Sequence, residues 1–293
     1  MKTSSPQRIC LSANYLICTF FILSSCSNPV GEHHPEWKKY FDDYHVNGCI
    51  EIFDLKTSKF IDYNTDRCSQ RFIPASTFKI PNSLIALHTK TIPDTSYVLK
   101  WDSVVHEIPL WNHDQSMNEA FHNSTVWYYQ EISRQIGQEK YGQYLNVFHY
   151  GNRNPSGKVD SFWLNGALKI SSDEQIEFLK NLYEEQLPVS QRSQQLVKGM
   201  MLMESNLTYK LFGKTGWAEV RDSSVLLKST NETSVVQIPI VNIGWFVGWV
   251  EKNEDIYFFA LNIQSPQTAP ENFAEARKNI TRSCLKDLKI IPE

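Results

Sequence analysis

The sequence predicts an α/β fold in which an antiparallel sheet, assembled from the two ends of the chain, is flanked by helices and carries a helical subdomain from the middle. Strand-like runs occur near the N-terminus and again after residue 205, and the stretch between them is helical in character. A composition of 41% hydrophobic and 21% charged residues over 293 positions is that of a globular chain with a sizeable core. Twelve Gly and 13 Pro exclude a collagen-like or low-complexity chain. A net charge of −3 with no basic run excludes the electrostatic footprint of a nucleic-acid binder.

Residues 1–25 are read as an address. Lys2 and Arg8 precede the uncharged stretch Leu11–Leu23, which is shorter than the roughly 20 apolar residues a bilayer span takes and has export-signal proportions. Leu23-Ser24-Ser25-Cys26 resembles the lipobox of bacterial lipoproteins, in which Cys26 is lipidated and becomes the new N-terminus; plain cleavage near Ser25 is the alternative. Removing this segment leaves 27 Lys and Arg against 32 Asp and Glu, so the mature charge is −5. Cys10 and Cys18 leave with it. Cys49, Cys68 and Cys284 then face an oxidising compartment either as three buried thiols or with one disulfide, Cys49 and Cys68 being the nearer pair along the chain. His33-His34 reads as a solvated tail.

Gly48–Leu55, a turn over Lys56–Lys59, and Phe60–Tyr63 predict a hairpin, with Ile50 and Ile52 alternating against Glu51. Helical stretches broken at Pro81, Pro93, Pro109 and Pro155 run from Pro74 to about Met203. Within them Ser172 and Gln175 predict a capping box ahead of Ile176, Leu179 and Tyr183. Strand character returns at Leu211-Phe212 and is strongest in Trp245–Val250 and Ile256–Leu261, joined by a turn over Lys252–Asp255. Pro270 opens a terminal helix whose apolar stripe, Phe273, Ile280 and Cys284, also carries Arg277. Residues 26–293 are expected to form one catalytic domain, its sheet part from about 45–75 and 205–293 and its helical part from about 85–200.

Histidine-based hydrolysis and metal chemistry find no support. No G-x-S-x-G, phosphate loop, G-x-G-x-x-G or H-E-x-x-H occurs, and the eight histidines are scattered. What remains is Ser76-Thr77-Phe78-Lys79, an S-x-x-K pattern that Ser283–Lys286 also satisfies. Context separates the two. Pro74-Ala75 marks a helix start, so Ser76 and Lys79 lie one turn apart beside free backbone N–H groups, whereas Ser283 sits late in a helix. A serine hydroxyl needs a neighbouring base, and a lysine serves when burial keeps its amine neutral. Far downstream, Lys214-Thr215-Gly216 offers a cation and a hydroxyl for a carboxylate, with a glycine that lets a ligand lie against the backbone.

In this order the two motifs resemble the penicillin-binding proteins and serine β-lactamases, and the wider chain is similar to class D (oxacillinase-type) enzymes. Pro74–Asn82 matches that family's nucleophile segment, and Ser124-Thr125-Val126 its S-x-V element, with S-D-N absent. Tyr150-Gly151-Asn152, Asp160–Leu164, Gly244–Glu251 and Ala276-Arg277-Lys278 correspond to its further motifs. The resemblance implies a β-lactamase/transpeptidase-like fold and hydrolysis of β-lactam antibiotics through an acyl-enzyme on Ser76. Lys79, as N6-carboxylysine formed with carbon dioxide or bicarbonate, would be the general base, with no other cofactor and no metal. Trp163 would hydrogen-bond the carbamate, Val126 keep the pocket dry and Ser124 relay a proton. Lys214, Thr215, Gly216 and Arg277 would hold the substrate, and the backbone N–H groups of Ser76 and Trp217 form the oxyanion hole. Partners would be β-lactams and no nucleic acid, with the enzyme a monomer or homodimer in the periplasm of a Gram-negative bacterium, its lipid on Cys26 a membrane tether. A transpeptidase or a β-lactam sensor would keep its acyl group; Trp163 and S-x-V argue against the first, the single short export segment against the second. One departure stands out: Trp217–Ile243 is an insertion, containing Val235–Val241, where relatives have a short loop. It can add strands, close over the site or project outward.

Overall fold

The computed structural model describes Met1 and residues 31–221, 240–265 and 268–293. The export segment, Cys26 and most of the insertion, including Val235–Pro239, lie outside the described residues. The chain opens with β1 (Glu32–His33) and α1 (Lys38–Asp42), then β2 (Asn47–Asp54), β3 (Lys59–Tyr63) and α2 (Thr65–Cys68). A 3-10 turn, Ala75–Phe78, runs into α3 (Lys79–His88). A two-stranded ribbon, β4 (Val98–Leu99) with β5 (Gln115–Ser116), precedes α4 (Met117–His122), α5 (Val126–Ile136) and α6 (Gln138–Val147). Next come α7 (Ser172–Tyr183), α8 (Gln191–Met201) and β6 (Leu202–Ser205). The chain finishes with β7 (Lys210–Arg221), β8 (Ile240–Lys252), β9 (Asp255–Ser265) and α9 (Phe273–Asp287).

The seven-stranded sheet has the order β1-β3-β2-β9-β8-β7-β6. Its pairings are antiparallel except that β1 lies parallel to β3. As expected, the first and last parts of the chain meet in one sheet, through β2 and β9 paired from Asn47↔Gln264 to Asp54↔Tyr257. Side chains alternate across a strand, so each strand serves two cores. Trp245, Val247 and Trp249 of β8 and Phe258 and Ala260 of β9 pack with the helical region. Their neighbours Phe246, Val250, Phe259, Leu261 and Ile263 pack with α1 and α9. Both faces are covered, which is why these strands read as continuous apolar runs.

The structure corrects several expectations. Pro81 does not break its helix: it is the third residue of α3, in the first turn, where an N–H has no intrahelical acceptor in any case. The capping box is Ser171 with Glu174, one residue earlier than Ser172 with Gln175. The terminal helix starts at Phe273, with Asn272 at the N-cap position making no side-chain capping bond, after Pro270 O accepts the Phe273 N–H at 2.9 Å. Of the insertion, the described flanks lengthen the β7–β8 hairpin, with pairs from Ala218↔Ile243 to Arg221↔Ile240. Cys49, Cys68 and Cys284 are free, buried thiols, which decides between the two readings left open for them.

Glu51, the polar member of the β2 alternation, is buried rather than solvated. It faces Asp173 at the start of α7 and lies opposite Asp62 in the β2–β3 ladder. Burial first, then these two carboxylates, push its carboxyl up to about 9. Folded Glu51 therefore keeps a proton that the unfolded chain releases near 4.5, and stability falls as pH rises from that value toward 9. Glu51→Gln should raise the melting temperature by several degrees at about pH 8 and by little near pH 4. Equal shifts at both pH values, followed by calorimetry, would exclude this account.

Candidate active site

The candidate groups gather where the 3-10 turn meets β7. Lys79 Nζ donates to Ser76 Oγ at 3.0 Å, both residues being buried. The spacing works because three residues along a helical turn return to the same face. Around Lys79 the chain supplies aromatic surface: its Nζ lies 5.1 Å from the centre of the Tyr129 ring, and the neighbouring Phe78 stacks on Trp163 at 5.5 Å. Phe162, Tyr141 and Tyr150 complete the packing around Phe78. Burial alone pulls the Lys79 amine down to about 7, so much of it is neutral at physiological pH. The indole N–H of Trp163, also buried, has no acceptor. A buried donor without a partner costs about 1–3 kcal/mol, so this site is built to receive an acceptor.

Two non-glycine residues beside these groups hold left-handed backbone, Ala75 at φ 50° and Ser124 at φ 55°. Such conformations cost about 1–3 kcal/mol each and are kept only where their surroundings fix them. The Ala75 N–H donates to the Trp163 carbonyl at 3.0 Å, tying the Ser76 turn to the segment that carries the indole. Ser124 is fixed by its own N–H on Phe121 O, and its neighbour Thr125 donates its hydroxyl to Gln115 at 2.7 Å. The result aims the Ser124 hydroxyl at Lys214, whose ammonium bonds it directly. Val126 begins α5 next to this bend and is half-buried.

Lys214, Thr215, Gly216 and Trp217 follow one another along β7. A Cβ on Gly216 would lie 3.0 Å from Pro74 O and 3.3 Å from Ser76 N, so only glycine lets this strand pass so near the serine backbone. Arg277 reaches the same strand from α9, donating from Nη1 to Gly216 O at 2.8 Å, with its guanidinium 5.7 Å from the Trp217 ring centre. Gly244 makes the approach possible, since a Cβ there would sit 3.1 Å from Arg277 Cδ. The cation on the apolar stripe thus crosses from α9 to β7. Burial lowers Arg277 to about 10 and, together with Lys79, Arg277 and Lys278, depresses Lys214 well below its ordinary value. Cations drawn together in a low-dielectric site favour an anionic ligand.

Hydrogen bonds and ring contacts thus join Ser76 with Lys79, Ser124 with Lys214, and Arg277 with Gly216 and Trp217, while Ser283, the second S-x-x-K serine, lies in the last turns of α9. Tyr150-Gly151-Asn152 stands behind the site. Asn152 clamps the loop after Trp163, accepting from Lys169 N–H at 3.0 Å and donating to Ala167 O at 2.7 Å. Sequence reasoning passed over Tyr129 and Gln115, which carry no local signature; only packing reveals them.

The penicillin binding protein transpeptidase domain family model matches residues 39–286. Among curated proteins the chain is similar to the β-lactamase OXA-48 of Klebsiella pneumoniae, 37% identical over 284 residues, covering 97% of this chain and 99% of that protein. It is also similar to the β-lactamase OXA-20 of Pseudomonas aeruginosa, 37% identical over 258 residues, with 87% and 88% covered. Among solved structures it resembles the class D β-lactamase of Sebaldella termitidis with a TM-score of 0.79 at 36% identity, covering 89% of this chain and 100% of that one. The class D β-lactamase YbXI of Nostoc gives a TM-score of 0.76 at 40% identity, with 87% and 99% covered.

Proposed function

The chain belongs to the class D β-lactamases and hydrolyses β-lactam antibiotics, and on that premise we propose that Ser76 is its nucleophile, Lys79 its base, and Lys214, Thr215 and Arg277 the clamp for the substrate carboxylate. The observation that carries the reading is the unpartnered N–H of Trp163, whose ring stacks on Phe78, the residue before Lys79, together with a Lys79 amine brought near neutrality. Together they fit a carbamate formed on Lys79 Nζ from carbon dioxide, which supplies an anionic general base when present. Ser76 Oγ gives its proton to Lys79, its bonded base, as it attacks the β-lactam carbonyl, and the N–H groups of Ser76 and Trp217 receive the oxyanion; this is the proton that Ser124 then hands on. Ser124, bonded to Lys214, passes a proton to the departing ring nitrogen. Water then cleaves the ester on Ser76, giving one proton to the base, which returns it to Ser76 Oγ as the product acid leaves. Trp163 holds the base in place, and Val126 limits water beside it. Purified residues 27–293 should turn over a chromogenic cephalosporin many times per molecule; a single stoichiometric burst would mark a sensor instead.

Export belongs to the same reading. Lys2, Arg8, the Leu11–Leu23 stretch and the small residues before Cys26 support a lipid-bearing N-terminus at Cys26 in the periplasm of a Gram-negative bacterium. Among the described residues no helix is long and apolar enough to cross a membrane. Labelled palmitate should enter the full chain in a bacterial host and not the Cys26→Ser variant; no incorporation into either would leave plain cleavage near Ser25. The proposed machinery comes from one chain, so it is complete in a monomer or a homodimer.

A further inference from the structure

A cavity of about 780 Å³ opens at the chain segments flanking Ser76 and Trp163, within the roughly 300–1,000 Å³ of small-molecule sites. Phe72 and Ile73, which lead into Pro74-Ala75-Ser76, form one wall, and Asn165 and Gly166, just after Trp163, another. The ends of β7 and β8 close it, Lys214 and Arg277 not being among its lining residues. Its charge is unlike that of the mature chain, in which acids outnumber bases. Four cations line it, Arg67, Arg71, Lys169 and Arg221, against one carboxylate, Glu219.

Of the four, Arg71 is already satisfied, donating from Nε to both Glu174 oxygens at 3.0 Å. Arg67 is not. Its Nη2 donates to two amide oxygens, Asn262 Oδ1 at 2.7 Å and Gln264 Oε1 at 3.3 Å, and its guanidinium lies 4.2 Å from the Phe72 ring centre. Its Nε is buried with no acceptor. Amide oxygens, a ring face and the nearby Cys49 and Cys68 thiols orient this guanidinium without pairing it with a carboxylate, and a part-buried cation so placed is stabilised by an anion. Lys169 and Arg221, both exposed, add charge at the rim.

We propose that this cavity is a second anion site, taking a small organic carboxylate, separate from the Lys214–Arg277 clamp. The carboxylate comes either from a free organic acid or from the acyl side chain of a β-lactam held on Ser76, since Phe72 and Ile73 of the cavity wall stand three to four residues ahead of the nucleophile. Only the second source rests on the function proposed above.

Citrate is a suitable probe. Titration calorimetry at low ionic strength should show it binding to the whole mature protein, roughly tenfold more weakly to the Lys169→Ala/Arg221→Ala variant and more tightly to Glu219→Gln. Turnover of benzylpenicillin by these variants should be unchanged, showing that they fold. In competition, citrate that raises KM for a penicillin with a side-chain carboxylate but not for benzylpenicillin identifies the substrate as the source. Citrate that binds and raises neither KM identifies a free acid. No heat of binding at millimolar citrate, binding indifferent to all three substitutions, or an equal rise in both KM values, which would put citrate in the Lys214–Arg277 clamp, overturns the proposal. The calorimetry stands whether or not the assignments at Ser76 hold.

Discussion

Lys79→Ala should lower turnover of a chromogenic cephalosporin by roughly ten-thousand-fold, the upper range for loss of a general base. Ser76 would keep its position at the start of the turn but lose the side chain bonded to its hydroxyl. The parent enzyme should also respond to bicarbonate after carbon dioxide is removed, and the variant should not. The response has a definite sign with pH. Burial alone lowers the amine to about 7, so the neutral form that combines with carbon dioxide dominates above that value and fades below it. Bicarbonate should restore activity strongly at about pH 8 and weakly at about pH 5.5. A parent enzyme indifferent to bicarbonate at both pH values would eliminate the carbamate, though not the serine.

Trp163→Phe should bring deacylation down by roughly a hundredfold and acylation by much less, so that acyl-enzyme accumulates and a burst appears. The substitution keeps a ring to stack on Phe78 and removes the N–H alone. Alanine is the poorer test, because emptying a buried tryptophan site costs about 3–5 kcal/mol of stability and confounds the kinetics. Rapid-quench measurement of the two steps decides the matter: equal losses in both would mean that the indole shapes the pocket without holding the base.

What the residues revealed in advance were features whose physics is local. Ser76 and Lys79 are one turn apart, and Trp245–Val250 with Ile256–Leu261 brackets its own turn; Lys214-Thr215-Gly216 reads as a strand end but lies inside β7. What stayed hidden depends on partners far along the chain. Ser171 and Ser172 are both good caps, and Glu174 and Gln175 both complete a box; the extended backbone at Ser171 decides between them. Glu51 reads as solvated by alternation until Asp173 covers that face of β2. β7 runs on to Arg221 because Ile240–Ile243 return across the insertion to pair with it. Arg277 was conspicuous as a cation on an apolar stripe, yet its destination depends on Gly244 leaving room.

The pairing of β2 with β9 bears on when the enzyme can come into being. A ladder between Asn47–Asp54 and Tyr257–Gln264 cannot form until nearly the whole chain has been synthesised, and contacts so distant in sequence form slowly. A growing chain therefore has no finished central sheet, and Arg277 arrives later still. This delay would suit the proposed export of the chain while unfolded: the structure that makes it a catalyst is completed last.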